Sequence, residues 1–209
     1  MNLDFRLYLI TDRHVAKMPL PEAVRQALMG GVRAVQLREK DLPVRELLSL
    51  AIELRLIARE FGAKLFINDR VDVAVAVDAD GVHLGGQSMP ASAVRRIVGN
   101  SMLIGVSTHG LEEAKEAAAR GADFITYGPV FETVSKAKYG SPVGYNSIVE
   151  IKKQVKLPLF ALGGVESGNI AQVINAGADG IALISGILAA DDIKKAAEDM
   201  INQLSGIQA

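Results

Sequence analysis

The most constraining feature of this chain is a regular alternation of short apolar runs with longer amphipathic segments. Eight apolar runs are predicted as strands, over 6–11, 34–37, 65–67, 81–84, 103–106, 124–127, 159–162 and 180–184. Helical periodicity and end signals predict a helix after each strand, over 19–28, 44–61, 71–77, 91–98, 111–120, 146–154, 168–176 and 192–204. Strand–helix units repeated in this way are typical of an α/β fold, in which helices cover a parallel sheet.

An internal repeat favours closure of this sheet into a barrel. The segments GGVRAVQL, DADGVHL, GADFITYG and GADGIALISG each begin with a short turn of small or acidic residues, here a corner, and continue into a strand. Their corner residues Arg33, Asp80, Asp123 and Asp179 are 47, 43 and 56 residues apart, so each interval spans two strand–helix units. An open doubly wound sheet has the same alternation. Eight even units in 209 residues, with no linker-like stretch, favour a single (β/α)8 TIM barrel domain over 1–209.

Composition excludes several classes of protein. Lys and Arg total 23 against 24 Asp and Glu, so bulk charge does not attract the chain to nucleic acid or to a membrane surface. The absence of Cys excludes disulfides, thiolate metal sites and a Cys nucleophile. The chain has no apolar stretch long enough for a membrane span, and its first residues do not resemble a secretory signal. We therefore expect a cytoplasmic protein.

Polar side chains gather where the predicted strands end, which is where barrel enzymes place their active sites. In QLREK, the residues Gln36, Arg38 and Lys40 share one face of the second strand, while Leu37 and Glu39 face the other way. One amide and two cations on one face suit a polyanion such as a diphosphate. A salt-bridged barrel interior is the alternative explanation.

Small-residue corners follow the seventh and eighth strands, as Gly163-Gly164 and Ser185-Gly186. Free backbone N–H groups at such corners commonly bind phosphate in barrels. The glycines could also serve tight turns alone.

Two further segments carry candidate functional residues. Asn68-Asp69 follows the third strand, where a carboxylate could bind Mg²⁺ beside a diphosphate or cap the next helix. The polar loop over 129–143 supplies hydroxyls and positive charge, and its length is typical of a lid or of a solvated surface loop.

The three histidines, His14, His83 and His109, lack the spacing of a metal site. His83 lies inside an apolar strand and is expected to be structural. His109 follows the fifth strand, where it could cap a helix or contact a ligand.

In combination, the segments YLITD, QLREK, INDRVDVA, GVHLG, GVSTH, GADFITYGPVF, ALGGV and GADGIALIS resemble the thiamine phosphate synthase and TenI family. They occur in order from Tyr8 to Ser185. The resemblance implies a (β/α)8 barrel and a transferase of thiamine biosynthesis. This enzyme joins hydroxymethylpyrimidine diphosphate to thiazole phosphate and releases diphosphate. It also implies Mg²⁺ as cofactor and small-molecule partners only, and a homodimer is compatible with such a barrel.

The resemblance also implies site residues. The pyrimidine diphosphate would be held by Gln36, Leu37, Arg38, Glu39, Lys40 and Asn68, with Ser107 and Lys136 completing the diphosphate contacts. The thiazole substrate would contact Thr133, Val134 and Ser135, and its phosphate would bind at Gly164, Ile184 and Ser185. Arg38, Lys40, Ser107 and Lys136 would be the catalytic set that stabilises the departing charge. Asp69 would bind the metal.

Two departures from the family pattern leave alternatives open. In HLGGQSMP, Gly86 and Ser88 stand where synthases have Gln and a second metal-binding Asp. In the loop, Glu132 replaces Pro, and the motif VFET resembles that of the TenI thiazole tautomerases. However, Pro129 stands where that branch has a His. The alternatives are a tautomerase using His109 or Glu132 as a base, and a non-catalytic regulatory protein that binds thiamine intermediates.

Overall fold

A computed structural model of the chain describes residues 3–133 and 142–207. Eight parallel strands pair in sequence order, and β8 pairs with β1 to close a barrel. The strands are β1 Leu7–Ile10, β2 Ala34–Leu37, β3 Lys64–Asn68, β4 Gly81–Leu84, β5 Leu103–Thr108, β6 Phe124–Tyr127, β7 Leu159–Leu162 and β8 Gly180–Leu183. The predicted TIM barrel is confirmed.

Helices surround the barrel at the predicted positions. They are α1 Leu20–Met29, α2 Val44–Glu60, α3 Val71–Ala76, α4 Ala91–Val98, α5 Leu111–Ala119, α6 Asn146–Gln154, α7 Ile170–Asn175, α8 Ser185–Leu188 and α9 Ile193–Gly206. The prediction for α7 began too early, because Asn169 Oδ1 accepts a hydrogen bond from the Glu166 N–H and holds a turn there. The four residues of α8 were not predicted, since one turn shows no periodicity. No described helix is long and apolar enough to span a membrane.

An aromatic cluster fills the lower half of the barrel, at the N-terminal ends of the strands. Phe66, Phe124 and Phe160 are buried there with Tyr8 and Phe5. Each of the three Phe residues pairs in register with a glycine on the neighbouring strand, namely Gly81, Gly105 and Gly180. A Cβ atom at Gly105 would lie 2.4 Å from Cζ of Phe124, so the glycine leaves the space that the ring occupies. The rings close the floor of the barrel and leave the site at its upper, C-terminal end.

The repeated acidic corners form one recurring contact at the lower end. Asp80, Asp123 and Asp179 each accept a hydrogen bond from a backbone N–H on the preceding strand, at 2.8, 2.7 and 2.8 Å. Each also pairs with a cation on the helix that precedes this donating strand, namely Arg55, Arg95 and Lys152. Arg33, the fourth corner, instead donates to the backbone carbonyls of Leu28 and Val32. The repeat in the sequence therefore marks the junctions that connect neighbouring strands.

Candidate active site

Polar side chains from β2, β3, β5 and β6 and from the residues after these strands converge on a cavity of about 100 Å³ at the C-terminal end of the barrel. Five of the predicted diphosphate-site residues line it: Gln36, Arg38, Lys40, Asn68 and Ser107. They meet because alternate residues of a strand point inward, so β2, β3 and β5 each direct polar side chains into the barrel. The alternation in QLREK predicted Gln36, Arg38 and Lys40, whereas the roles of Asn68 and Ser107 were implied by the family resemblance.

Two cations face this cavity without a counter-charge from the described part of the chain. Arg38 is half-buried and Lys40 is exposed, and no described carboxylate pairs with either. The acidic residue between them is engaged elsewhere, because Glu39 pairs with Arg13 at 3.1 Å. Two uncompensated cations at the mouth of a polar cavity create a site for an anion.

Glu39 and Leu37 face away from the cavity, as their positions on the strand predict. The buried carboxylate of Glu39 accepts hydrogen bonds from the Thr11 hydroxyl at 2.6 Å and from the Arg13 backbone N–H. Thr11 Oγ1 in turn accepts from the Arg38 N–H at 2.9 Å. Leu37 is buried in the apolar layer between sheet and helices. Their side chains therefore do not line the cavity, and only their backbone could face a ligand there.

A chain of hydrogen bonds crosses the floor of the cavity above the aromatic cluster. Gln36 Nε2 donates to the Tyr8 hydroxyl at 3.1 Å, and that hydroxyl lies 3.4 Å from His83 Nδ1. His83 Nε2 lies 3.0 Å from Ser107 Oγ. Burial lowers the pKa of His83 to about 3, and burial also raises the pKa of Tyr8. Both groups are therefore neutral near pH 7.

The end of β3 and the loop after β4 meet around Asp69. Asn68 Nδ2 donates to Asp69 Oδ2 at 2.8 Å, and the Ser88 hydroxyl donates to Asp69 Oδ1. The side chain of Asp69 does not cap α3, whose start has no side-chain cap. Among the described residues, no group of three or more His, Asp or Glu side chains could hold a metal. Asp69 is thus one carboxylate beside an amide and a hydroxyl.

A second cavity, of about 390 Å³, lies over the ends of β7 and β8. It is lined by the predicted phosphate residues Gly164, Ile184 and Ser185, and by Thr133 and Glu132. Leu162 and Ile184 line both cavities and therefore form their shared wall. Gly164 has φ 66°, and a Cβ there would lie 2.5 Å from the Glu132 carbonyl oxygen, so the close approach of two loops requires glycine.

Several cavity residues were not predicted from the sequence. Ile10, Thr126, Gly128 and Leu162 line the first cavity, and their inward alternation along β1, β6 and β7 was the available signal. His109, which the sequence offered as a helix cap or a ligand contact, lines this cavity too, with Nδ1 in contact with the carbonyl oxygen of Gly128. The predicted residues Val134, Ser135 and Lys136 lie outside the described residues.

Comparison with known proteins agrees with this geometry. A sequence model of the thiamine monophosphate synthase family matches residues 7–187. A putative thiamine-phosphate synthase from Geobacter sulfurreducens is 54% identical over 96% of this chain and 94% of its own length. The thiamine-phosphate synthase of Chloroflexus aurantiacus is 44% identical over 95% and 92%. The structure of thiamine phosphate pyrophosphorylase from Pyrococcus furiosus superposes with a TM-score of 0.89 at 41% identity, covering 98% and 97% of the two chains. The chain therefore belongs to the thiamine phosphate synthase and TenI family.

Proposed function

We propose that the protein is a thiamine-phosphate synthase, a transferase that joins hydroxymethylpyrimidine diphosphate to thiazole phosphate and releases diphosphate. The observation that carries the proposal is the pair of cavities with a shared wall. One contains two cations without a counter-charge among the described residues, and the other contains a glycine corner. Two anionic substrates bound in them would place their reacting ends together.

The first cavity provides groups for a pyrimidine diphosphate. Arg38 offers a guanidinium fork and Lys40 a point charge to phosphate oxygens. The amides of Gln36 and Asn68 offer donors and acceptors to an aminopyrimidine ring, and the Ser107 hydroxyl adds another polar contact.

The second cavity provides backbone donors for the phosphate of the thiazole substrate. The first intrahelical donor of α8 is Ile187, so the N–H groups of Ser185 and Gly186 precede the hydrogen-bonded turn. The backbone of Gly164 lines the same cavity. These groups would bind an anion without a side-chain cation.

The transfer step needs charge stabilisation and no covalent nucleophile. The bond between the pyrimidine methylene carbon and the diphosphate oxygen breaks, and its electron pair leaves with diphosphate. The thiazole nitrogen then donates its lone pair to the methylene carbon. Arg38 and Lys40 would stabilise the negative charge that develops on the leaving group, together with Lys136 from the loop outside the described residues.

The donor set around Asp69 fits Mg²⁺ as cofactor. Mg²⁺ commonly binds one or two carboxylates and takes its other ligands from phosphate and water. Asp69 supplies one carboxylate, and Ser88 places a neutral oxygen beside it. Asp69 would hold the ion next to the diphosphate, where the ion would neutralise part of the leaving-group charge.

One observation favours a tautomerase as the second candidate. Glu132 lines the cavity proposed for the thiazole phosphate, so its carboxylate could move a proton on a bound thiazole. A tautomerase needs no pyrimidine diphosphate, and the cation pair Arg38 and Lys40 would then have no role.

The test is incubation with both substrates and Mg²⁺, followed by chromatography for thiamine phosphate. We expect product formation, and a loss of about 10²–10³ in rate for Arg38→Ala. The control is Arg59→Ala, because Arg59 pairs with Asp78 on the surface and should leave the rate unchanged. Absence of thiamine phosphate from the unmodified protein, with isomerisation of a thiazole carboxylate phosphate instead, would establish the tautomerase.

We also propose that the protein acts in the cytoplasm, where small phosphorylated substrates are available. A homodimer stays a prediction, and sedimentation equilibrium of the full chain would measure it.

A further inference from the structure

We propose that His83 is a positioning residue that fixes the Ser107 hydroxyl as a hydrogen-bond donor toward the first cavity. His83 belongs to a chain of hydrogen bonds that all run in one direction, from Gln36 through Tyr8 and His83 to Ser107. The identity of the acceptor, a phosphate oxygen of the diphosphate, rests on the proposed function. The direction of the chain does not.

The first step concerns the single proton of Tyr8. The hydroxyl is fully buried and accepts a hydrogen bond from Gln36 Nε2 at 3.1 Å. Its own proton therefore points to its other polar side-chain neighbour among the described residues, His83 Nδ1, at 3.4 Å. Gln36 thus sets the direction in which Tyr8 donates.

The second step concerns the tautomer of His83. The ring is 2% exposed and packs against Tyr8 and Phe124, with ring centroids 5.7 and 5.8 Å away. The side-chain partners of its two nitrogens within the described residues are hydroxyl groups. A neutral imidazole has one N–H, and Nδ1 accepts from Tyr8, so the hydrogen is on Nε2. This N–H points to Ser107 Oγ at 3.0 Å.

The third step concerns the lone pairs of Ser107. Its oxygen accepts from His83 Nε2 and also from the Thr126 hydroxyl at 3.4 Å. Both lone pairs are then engaged within the barrel, and the one proton of Ser107 is directed to the cavity that the residue lines.

The consequence is a fixed polarity at this point of the site. A ligand atom beside Ser107 meets a donor and must accept, which suits an anionic oxygen and disfavours an N–H group. The chain also connects Gln36 to Ser107 across the barrel, so the amide proposed for the pyrimidine and the hydroxyl proposed for the diphosphate are oriented together.

The direct test is the tautomer of His83 in the full chain without ligand. In protein labelled with ¹⁵N-histidine, we expect the His83 resonances of an Nε2–H, Nδ1-unprotonated ring, assigned by their loss in His83→Gln. Tyr8→Phe removes the donor to Nδ1, so a mixture of both tautomers is expected there. An Nδ1–H ring, or a mixture, in the unmodified protein overturns the proposal whether or not the protein makes thiamine phosphate.

A binding cycle tests whether His83 acts through Ser107. With inorganic diphosphate and Mg²⁺ in calorimetry, His83→Leu and Ser107→Ala should each weaken binding about tenfold. The double variant should be no weaker than Ser107→Ala alone. His83→Gln keeps a donor near the Nε2 position and should recover most of the loss. Additive losses in the double variant overturn the proposal. If the unmodified protein does not bind diphosphate, the proposed function fails, and the tautomer experiment still decides this inference.

Discussion

The Ser88 hydroxyl donates a hydrogen bond to Oδ1 of Asp69, and its oxygen accepts one from the backbone N–H of Gly85. The loop after β4 is thereby connected to the end of β3. Ser88 stands where the family pattern implied by the sequence has a second metal-binding carboxylate. The structure places a neutral hydroxyl beside Asp69, the carboxylate that we propose as the Mg²⁺ ligand.

This contact predicts the effect of restoring a carboxylate. Ser88→Asp should lower the Mg²⁺ concentration for half-maximal synthase rate about tenfold, because a second negative oxygen joins the site. Rate and calorimetric titrations with Mg²⁺ measure it. Met89→Asp is the matched control, since it adds the same charge at an exposed neighbouring position and should leave the dependence unchanged. An identical Mg²⁺ requirement in Ser88→Asp and the unmodified protein would show that the side chain at position 88 does not contact the ion.

The second prediction compares substitutions of two lysines in the loop over 129–143. It rests on sequence alone, because both lysines lie outside the described residues. Lys136 falls on the family motif and Lys138 does not. Lys136→Ala should lower kcat/KM about 10²–10³, as expected for loss of a charge at the leaving group, and Lys138→Ala should have little effect. Equal losses in the two variants would contradict the assignment of Lys136.

Most of the barrel and part of the site could be predicted from the sequence, for a simple physical reason. Strand alternation assigns side chains to the inner or outer face, and strand ends in a barrel meet at one rim. Arg38 and Lys40 were therefore placed correctly at the cavity, while Leu37 and Glu39 were predicted to face the other way and do so.

Cross-strand partners could not be predicted in this way. The contact between Tyr8 and His83 joins residues 75 positions apart, and no local pattern encodes that distance. His83 was interpreted as structural because its strand is apolar, and only the register of β4 beside β5 shows that it adjoins Ser107.

A third prediction concerns the acidic corners of the lower rim. The Asp123 carboxylate accepts from the Ile104 N–H at 2.7 Å and pairs with Arg95 at 2.5 Å. Asp123→Ala leaves both donors without this partner and should lower the free energy of unfolding by about 2–3 kcal/mol. Asp199→Ala removes an exposed pair with Lys195 and should leave the free energy of unfolding nearly unchanged, because solvent screens such a pair. Urea unfolding measures both free energies. Similar losses in the two variants would contradict the prediction that the acidic corners stabilise the barrel.

A fourth prediction follows from the burial of His83. Burial, opposed by the charge of Asp69 and assisted by the charge of Arg38, lowers the pKa of His83 to about 3. An unfolded chain binds this proton below about pH 6.5, whereas the native state binds it only near pH 3. The contribution of neutral His83 to the free energy of unfolding is therefore complete above about pH 6.5. It decreases as the pH falls from about 6.5 towards 3, by at most about 1.4 kcal/mol per pH unit. Urea unfolding between pH 4 and 7 should show a shallower dependence in His83→Gln, and parallel curves would contradict the prediction.

The final prediction concerns the glycine corner of the second cavity. Gly164 has φ 66°, and an added Cβ would lie 2.5 Å from the Glu132 carbonyl oxygen and 2.7 Å from Phe131 Cβ. Gly164→Ala should therefore lower the free energy of unfolding by at least about 1–2 kcal/mol, the cost of a left-handed alanine, and displace the cavity wall. We expect KM for thiazole phosphate to rise more than KM for the pyrimidine diphosphate. Gly168→Ala is the matched control, because nothing lies within 4 Å of its Cβ position. Steady-state kinetics with each substrate varied, together with thermal unfolding, measure these effects. A stability loss with both KM values unchanged would place the phosphate elsewhere.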